Sequence, residues 1–286
     1  MSRLLPLIEP LESRYAPASF SIVPVSEFEG TGGTKIFNFK VMLEGDFARS
    51  YTAADNSKAV ATDTMKNIVN ICARKHLDLA TEPFCQVVAK YFLDHYAQVE
   101  QATVMGLETK WVRLSFGGKP HAHSFVLDAN GKPFGKVTAT RRSMTTVSGI
   151  EGYTFMKSTA SGWTNYVMDE VTTIPETRDR MAATAMDASW VWSAAPKDYT
   201  SANAKILGTM IEVFATTYSE SLQDSLYRMG ERALAEVPQI SEITMACPNK
   251  HYLLMNLVPF GLDNENQVFL PTDEPHGQIE CTVGRG

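Results

Sequence analysis

The chain has 286 residues, 44% of them apolar and 20% charged, with a formal net charge of −6. Such a chain buries a sizeable core as one large unit or two similar halves, and its acidic balance removes any electrostatic reason to approach nucleic acid. No apolar run approaches the roughly 18 residues of a membrane span and no basic-then-apolar leader opens the chain, so no membrane partner is expected.

In chain order, Gly30-Thr31-Gly32-Gly33 reads as a flexible turn between strands, because no helix follows it to make a phosphate cradle. Thr34 to Leu43 alternates, with Phe37, Phe39, Val41 and Leu43 on one face and Asn38 and Lys40 on the other, the period of a half-buried strand. A helix follows from about Thr64 on the stripe Met65, Ile68, Val69 and Cys72. A second starts at Thr81, with Pro83 in its first turn and Phe84, Val87, Val88, Tyr91 and Phe92 at spacings of three and four. Short alternating stretches return at Trp111 to Phe116, Ser124 to Leu127 and Lys136 to Thr140, separated by turn signals such as Gly117-Gly118 and Asn130-Gly131.

The second half repeats this order more loosely. One helix carries Ile206, Leu207, Met210, Ile211 and Phe214; another carries Leu222, Leu226, Met229, Ala233 and Val237 and stops at Pro238. Two strands are expected after it, Glu242 to Cys247 and His251 to Leu257. Paired helices after paired strands argue against a doubly wound parallel sheet, so the fold class expected is α+β, duplicated, with antiparallel sheets carrying helices on one face. Such sheets leave edges and a second face to bury, which closure into a barrel by several subunits would solve. The four cysteines, Cys72, Cys85, Cys247 and Cys281, lack CxxC spacing and read as reduced thiols of a cytoplasmic protein; the C-terminus does not end in the peroxisomal Ser-Lys-Leu address.

Several residues have the chemistry of a site. Thr62 and Asp63 open a helix, where unpaired N–H groups and the dipole favour an anion, although ordinary capping is the competing reading. Asn249 and His251 would share one face of a strand if the pleat includes Asn249; an exposed amide and a structural histidine are the alternative. His121-Ala122-His123 has two-ligand spacing, but no carboxylate or cysteine nearby completes a set, and no metal is expected.

A set of collinear segments resembles the urate oxidase family. They are Tyr51 to Ser57 running into Val60 to Asn67, Gly118 to Phe125, Lys157-Ser158-Thr159, Asp169 to Thr173, Leu222-Gln223, Pro248 to Tyr252 and Cys281 to Arg285. The resemblance covers most of the chain from about Leu43 onward. It implies tandem tunnelling-fold modules, residues 1–145 and 146–286, assembled as a homotetrameric barrel with active sites between subunits. It further implies that Arg180 pairs bidentately with a urate anion, that Gln223 bonds the opposite edge of the purine, and that Trp163 stacks over the ring. The Leu222 backbone, with Thr62 and Asp63 from a neighbouring subunit, would complete the outline. Asn249, with Thr62, would hold dioxygen, and His251 would serve a proton relay. The implied reaction is cofactor-free oxidation of urate by dioxygen to 5-hydroxyisourate and hydrogen peroxide.

One position departs from the family. Where its relay lysine stands, this chain reads Arg14-Tyr15-Ala16-Pro17, so Pro17 takes the lysine's place, and no lysine occurs between Met1 and Thr34. Three readings follow: a uricase with a rewired relay, a homologue that hydrates or hydrolyses a related purine without dioxygen, and a non-catalytic purine-binding tetramer.

Overall fold

The computed structural model describes residues 18–22, 35–76 and 78–285. The Gly30 to Gly33 turn and Pro17 lie outside the described residues. Contacts divide the chain into two compact units, one of residues 1–129 and 133–147, the other of residues 130–132 and 148–286.

In the first unit β1 (Ala18–Ile22), β2 (Lys35–Gly45), β3 (Val99–Phe116), β4 (Lys119–Asp128) and β5 (Lys132–Thr140) form an antiparallel sheet in the order β1-β2-β3-β5. The long β3 has two partners along one edge: Gln101 to Leu107 pair with β5, and Lys110 to Phe116 with β4. After a single turn of helix, α1 (Ala48–Thr52), come α2 (Thr62–Lys75) and α3 (Thr81–His95). The sheet's alternation turns Phe39, Val41, Leu43, Ala102, Val104, Val137 and Ala139 to one side. There they meet the apolar stripes of α2, with Met65, Ile68 and Val69, and of α3, with Phe84, Val88 and Phe92, all buried.

The second unit repeats the arrangement with β6 (Met144–Lys157), which belongs to this unit from Ser148 onward, then β7 (Ala182–Trp192), α4 (Tyr199–Thr216), α5 (Leu222–Glu236), β8 (Ile240–Leu254) and β9 (Phe269–Gly284), with strands in the order β6-β7-β8-β9. Met186, Ala188, Trp190, Ile243, Met245 and Cys247 form its buried sheet face, and Ile206, Met210, Phe214, Leu226 and Met229 its buried helix faces. No helix among the described residues is long and apolar enough to cross a membrane.

Each unit contains its own arginine brace. Arg141, just past β5, donates to the carbonyls of Leu93 and Tyr96 at 3.0 Å and to Val99 O at 2.5 Å, gathering the end of α3 to the start of β3. Arg285, just past β9, donates from Nε to Ile240 O at 2.8 Å and from Nη2 to the carbonyls of Leu234 and Val237, gathering the end of α5 to the start of β8. A guanidinium suits this place because the last carbonyls of a helix lack intrahelical donors and carry partial negative charge. Threonine hydroxyls meet across matching strand pairs as well, Thr103 with Thr138 at 3.1 Å and Thr244 with Thr282 at 3.0 Å.

The structure corrects the expected strands after α5. Glu242 to Cys247 and His251 to Leu257 are not two strands: β8 runs unbroken through Pro248 and stops at Leu254. Its ladder with β7 pairs Ala183 with Lys250 and Asp187 with Ala246, and Pro248, which has no N–H to donate, falls in the gap between them. The interruption is borne by β9, where Asn249 opposes Gly277 and His251 opposes Thr272, so Asp273 to His276 bulge out. Arg285→Ala should lower stability by about 1–3 kcal/mol, since it strips charged donors from three carbonyls; thermal unfolding at an unchanged midpoint would contradict this brace.

Candidate active site

Three short segments of the second unit are stitched into one web. Gly162 N donates to Ser219 O at 2.8 Å and Ser219 N to Ala160 O at 3.0 Å. Trp163 and Thr177 exchange backbone bonds of 2.7 and 3.0 Å, and Arg180 N donates to Ser161 O at 2.9 Å. Trp163 and Arg180, seventeen positions apart in sequence, thereby become neighbours across one strip of backbone. The third segment leads directly into α5, whose N-cap Ser221 accepts from Asp224 N, so Leu222 and Gln223 form its first turn. Ser225 Oγ bonds Ser219 Oγ at 2.6 Å, tying that turn back to the web. Leu222 is buried, and Gln223 beside it is exposed.

The Arg180 side chain is half-buried, and burial pushes its guanidinium below the ordinary arginine range, with neighbouring Tyr218 acting in the opposite sense. An arginine titrates so high that it stays cationic through this. Its Nε donates to Gly162 O at 3.2 Å, and its terminal nitrogens bond nothing among the described residues. A fork anchored through Nε presents its two Nη groups to adjacent acceptors on a flat anion. Trp163 is held from behind by Tyr166, whose ring stacks on it at 5.2 Å and 14°, while the Tyr166 hydroxyl donates to Ile174 O at 2.7 Å.

β7 begins two residues after Arg180 and sets Ala183 opposite Lys250, so the chain leaving the arginine runs beside Asn249 and His251. Because β8 is continuous, Asn249 and His251 lie on one face of it and Lys250 on the other, where its ammonium pairs with Asp273 at 2.9 Å. The Asn249 amide and the His251 imidazole are half-buried and make no side-chain hydrogen bond among the described residues. Cys247, two residues before Asn249, is buried; burial pushes its thiol up to about 12, which removes it as a nucleophile near neutrality.

Thr62 and Asp63 belong to the first unit, at the start of α2. The N-cap is Ala61, without a side-chain cap, so the capping reading does not describe either residue. Asp63 bonds Asn67 at 3.1 Å and Lys66 at 3.2 Å, and the Thr62 hydroxyl has no partner among the described residues. The His121 and His123 rings lie 4.8 Å apart, with His121 against the edge of Phe116, and among the described residues no group of three or more potential metal ligands forms around them. Tyr166 and Tyr218, which shape the site, were not among the residues read from sequence. A loop without periodicity gives no signal of which distant backbone an aromatic will meet.

The uricase family model matches residues 23–138 and 146–280. The uricase of Dictyostelium discoideum is 34% identical over 280 residues, spanning 96% of this chain and 97% of its own length. That of Aspergillus flavus is 35% identical over 291 residues, spanning 96% of each. The crystal structure of the Arthrobacter globiformis uricase superimposes with a TM-score of 0.90 at 34% identity, covering 95% of this chain and 93% of that one. The α+β class with antiparallel sheets and paired helices, in tunnelling-fold modules, is therefore established.

All four cysteines are free. Burial raises the thiol pKa of Cys85 and Cys247 far above neutrality. A thiol reagent applied to the native protein at pH 8 should leave these two unmodified and reach all four in denaturant; rapid native labelling of Cys247 would show that the β8 core is open.

Proposed function

The chain belongs to the uricase family, and on that premise we propose how its own residues carry urate oxidation. The reaction takes urate, dioxygen and water to 5-hydroxyisourate and hydrogen peroxide: two electrons leave the purine, dioxygen takes them up as peroxide, and water supplies the new hydroxyl. The observation that carries the assignment is the backbone web that sets Arg180, Trp163 and the first turn of α5 side by side, with Asn249 and His251 on the strand alongside. The hydrolytic alternative is not favoured, since each of the relatives named above is a uricase.

Arg180 grips the urate anion through its Nη pair and Gln223 bonds the opposite edge. Trp163, stiffened by Tyr166, supplies the flat surface beneath the ring. An electron-rich purine anion passes electrons to dioxygen without a metal or flavin, so the protein's part is to orient, desolvate and move protons. Asn249 holds the small oxygen species and then water, and His251 accepts and returns the proton. With Pro17 at the lysine's position, His251 works with Thr62 and water. The loss of one relay partner slows such a step by a finite factor, because a single general base contributes about 10²–10⁴-fold.

Thr62 and Asp63 reach this site from another copy of the chain. The support is exposed apolar surface that a lone chain would leave in water: Val112, Phe116, Val126 and Leu127 on β3 and β4, and Leu253, Val258 and Phe260 at the far end of β8 and beyond it. Val258 and Phe260 are 72% and 75% exposed. A homotetramer would cover these patches. The four free thiols accord with a reducing cytoplasm.

Purified protein given urate should consume urate and oxygen in step and release peroxide. Arg180→Gln should raise KM for urate about 10²-fold, the loss expected for a charge-assisted bidentate pair. His251→Ala should lower kcat by about 10²–10⁴-fold with a smaller change in KM. Wild-type kinetics in either variant would overturn the residue's role.

A further inference from the structure

Arg180 is held by its backbone and its Nε, yet both of those bonds go to one short stretch, Ser161 O and Gly162 O. The aim of the guanidinium therefore depends on how Ser161 to Trp163 and Thr177 to Arg180 are kept in register. The hydroxyl of Tyr218, a half-exposed aromatic, lies against both and donates to Arg178 O at 2.7 Å. It can reach that carbonyl only because residue 162 has no side chain: a Cβ on Gly162 would stand 2.4 Å from the Tyr218 oxygen. Tyr218 also precedes Ser219, whose backbone closes the web and whose hydroxyl is tied to Ser225 in α5. The turn bearing Tyr218 is itself fastened from below, where Lys157 donates to Phe214 O at 3.1 Å and Thr217 O at 2.8 Å.

We propose that Tyr218 is a positioning residue for urate recognition, its hydroxyl clipping Arg178 across the bare Cα of Gly162 so that Arg180 and the Gln223 turn of α5 keep a fixed separation. The inference rests on Arg180 and Gln223 being the two ends of the purine grip. A pincer closes on a rigid planar ligand only if the gap between its jaws is set beforehand, and Tyr218 is the side chain that spans the segments carrying both. Its effect falls on binding rather than on oxygen chemistry, because Asn249 and His251 are held independently by the β8 ladder.

The test is steady-state kinetics with urate on Tyr218→Phe, Gly162→Ala and the double variant, each with its thermal midpoint, alongside Arg180→Gln. Tyr218→Phe, which deletes one neutral hydrogen bond, should raise KM roughly 3- to 10-fold and leave kcat within about twofold. Its Tm should stay within roughly two degrees of wild type. Gly162→Ala should raise KM at least as much, by pushing the hydroxyl off Arg178. The double variant should be no worse than Gly162→Ala, since the hydroxyl that the new methyl strikes is gone. An unchanged KM in Tyr218→Phe, or fully additive losses in the double variant, would overturn the proposal. If Arg180→Gln itself leaves KM unchanged, the purine grip is wrong and the proposal falls with it; if Arg180→Gln weakens binding while Tyr218→Phe does not, only the positioning role fails.

Discussion

Two strands outrun the helices that cover them, and the site depends on that mismatch. In both β3 and β8 the first half alternates between buried and half-buried residues, as a strand does when one face lies on a helix pair. The second half of each loses its fully buried positions and continues as half-buried or exposed residues. Helices of about fifteen residues rise only 1.5 Å per residue, whereas strands rise more than twice that, so a long strand must project beyond its helical cover. Asn249 and His251 stand where β8 passes from covered to uncovered. They therefore combine a rigid backbone, set by ladders on both sides, with side chains that have no partner among the described residues.

The repeated braces explain how the uncovered halves stay in register without a core of their own. Arg141 and Arg285 anchor the covered ends of β3 and β8 to the preceding helix, and the threonine pairs lock neighbouring strands a few residues further on. Beyond these points each unit differs. The first turns β3 into a hairpin with β4, and the second continues β8 against β9 with the Asp273 to His276 bulge. The backbone web proposed to grip the substrate is also peculiar to the second unit, built in irregular backbone between β6 and β7 and before α5. Loops tied to a rigid scaffold are where binding groups concentrate, because their backbone is free to be shaped around a ligand.

What the sequence disclosed followed from where periodicity is strong. The four long helices were legible from their apolar stripes, and β2 from its aromatic alternation. β7 was not: Ala182, Ala183, Ala188 and the glycine-containing β6 give small side chains with weak strand preference, and their burial comes from tertiary packing. The break expected between Cys247 and His251 contains Pro248, and proline is ordinarily confined to strand ends and edges; a gap in the β7 ladder removes its cost here and lets β8 run on. Of the site, Thr62, Asn249 and His251 had local chemistry that could be read from pattern, whereas Arg180, Gln223 and Trp163 were recognisable only by family resemblance. Tyr218 and Tyr166 had neither signal, since their roles arise from hydrogen bonds to carbonyls 40 and eight residues away.

The central claim is that urate oxidation takes place at a site to which one copy gives Arg180 and another gives Thr62. Subunit mixing tests it most directly. Thr62→Ala and Arg180→Gln chains, each crippled alone, are unfolded and refolded together, and urate-dependent oxygen uptake is measured. A shared site predicts recovery to roughly a quarter of wild-type activity, the share of interfaces at which random mixing brings the two intact halves together. No recovery, in mixtures shown to contain both chains in one assembly, would mean that both residues serve a site within a single chain and would contradict the account.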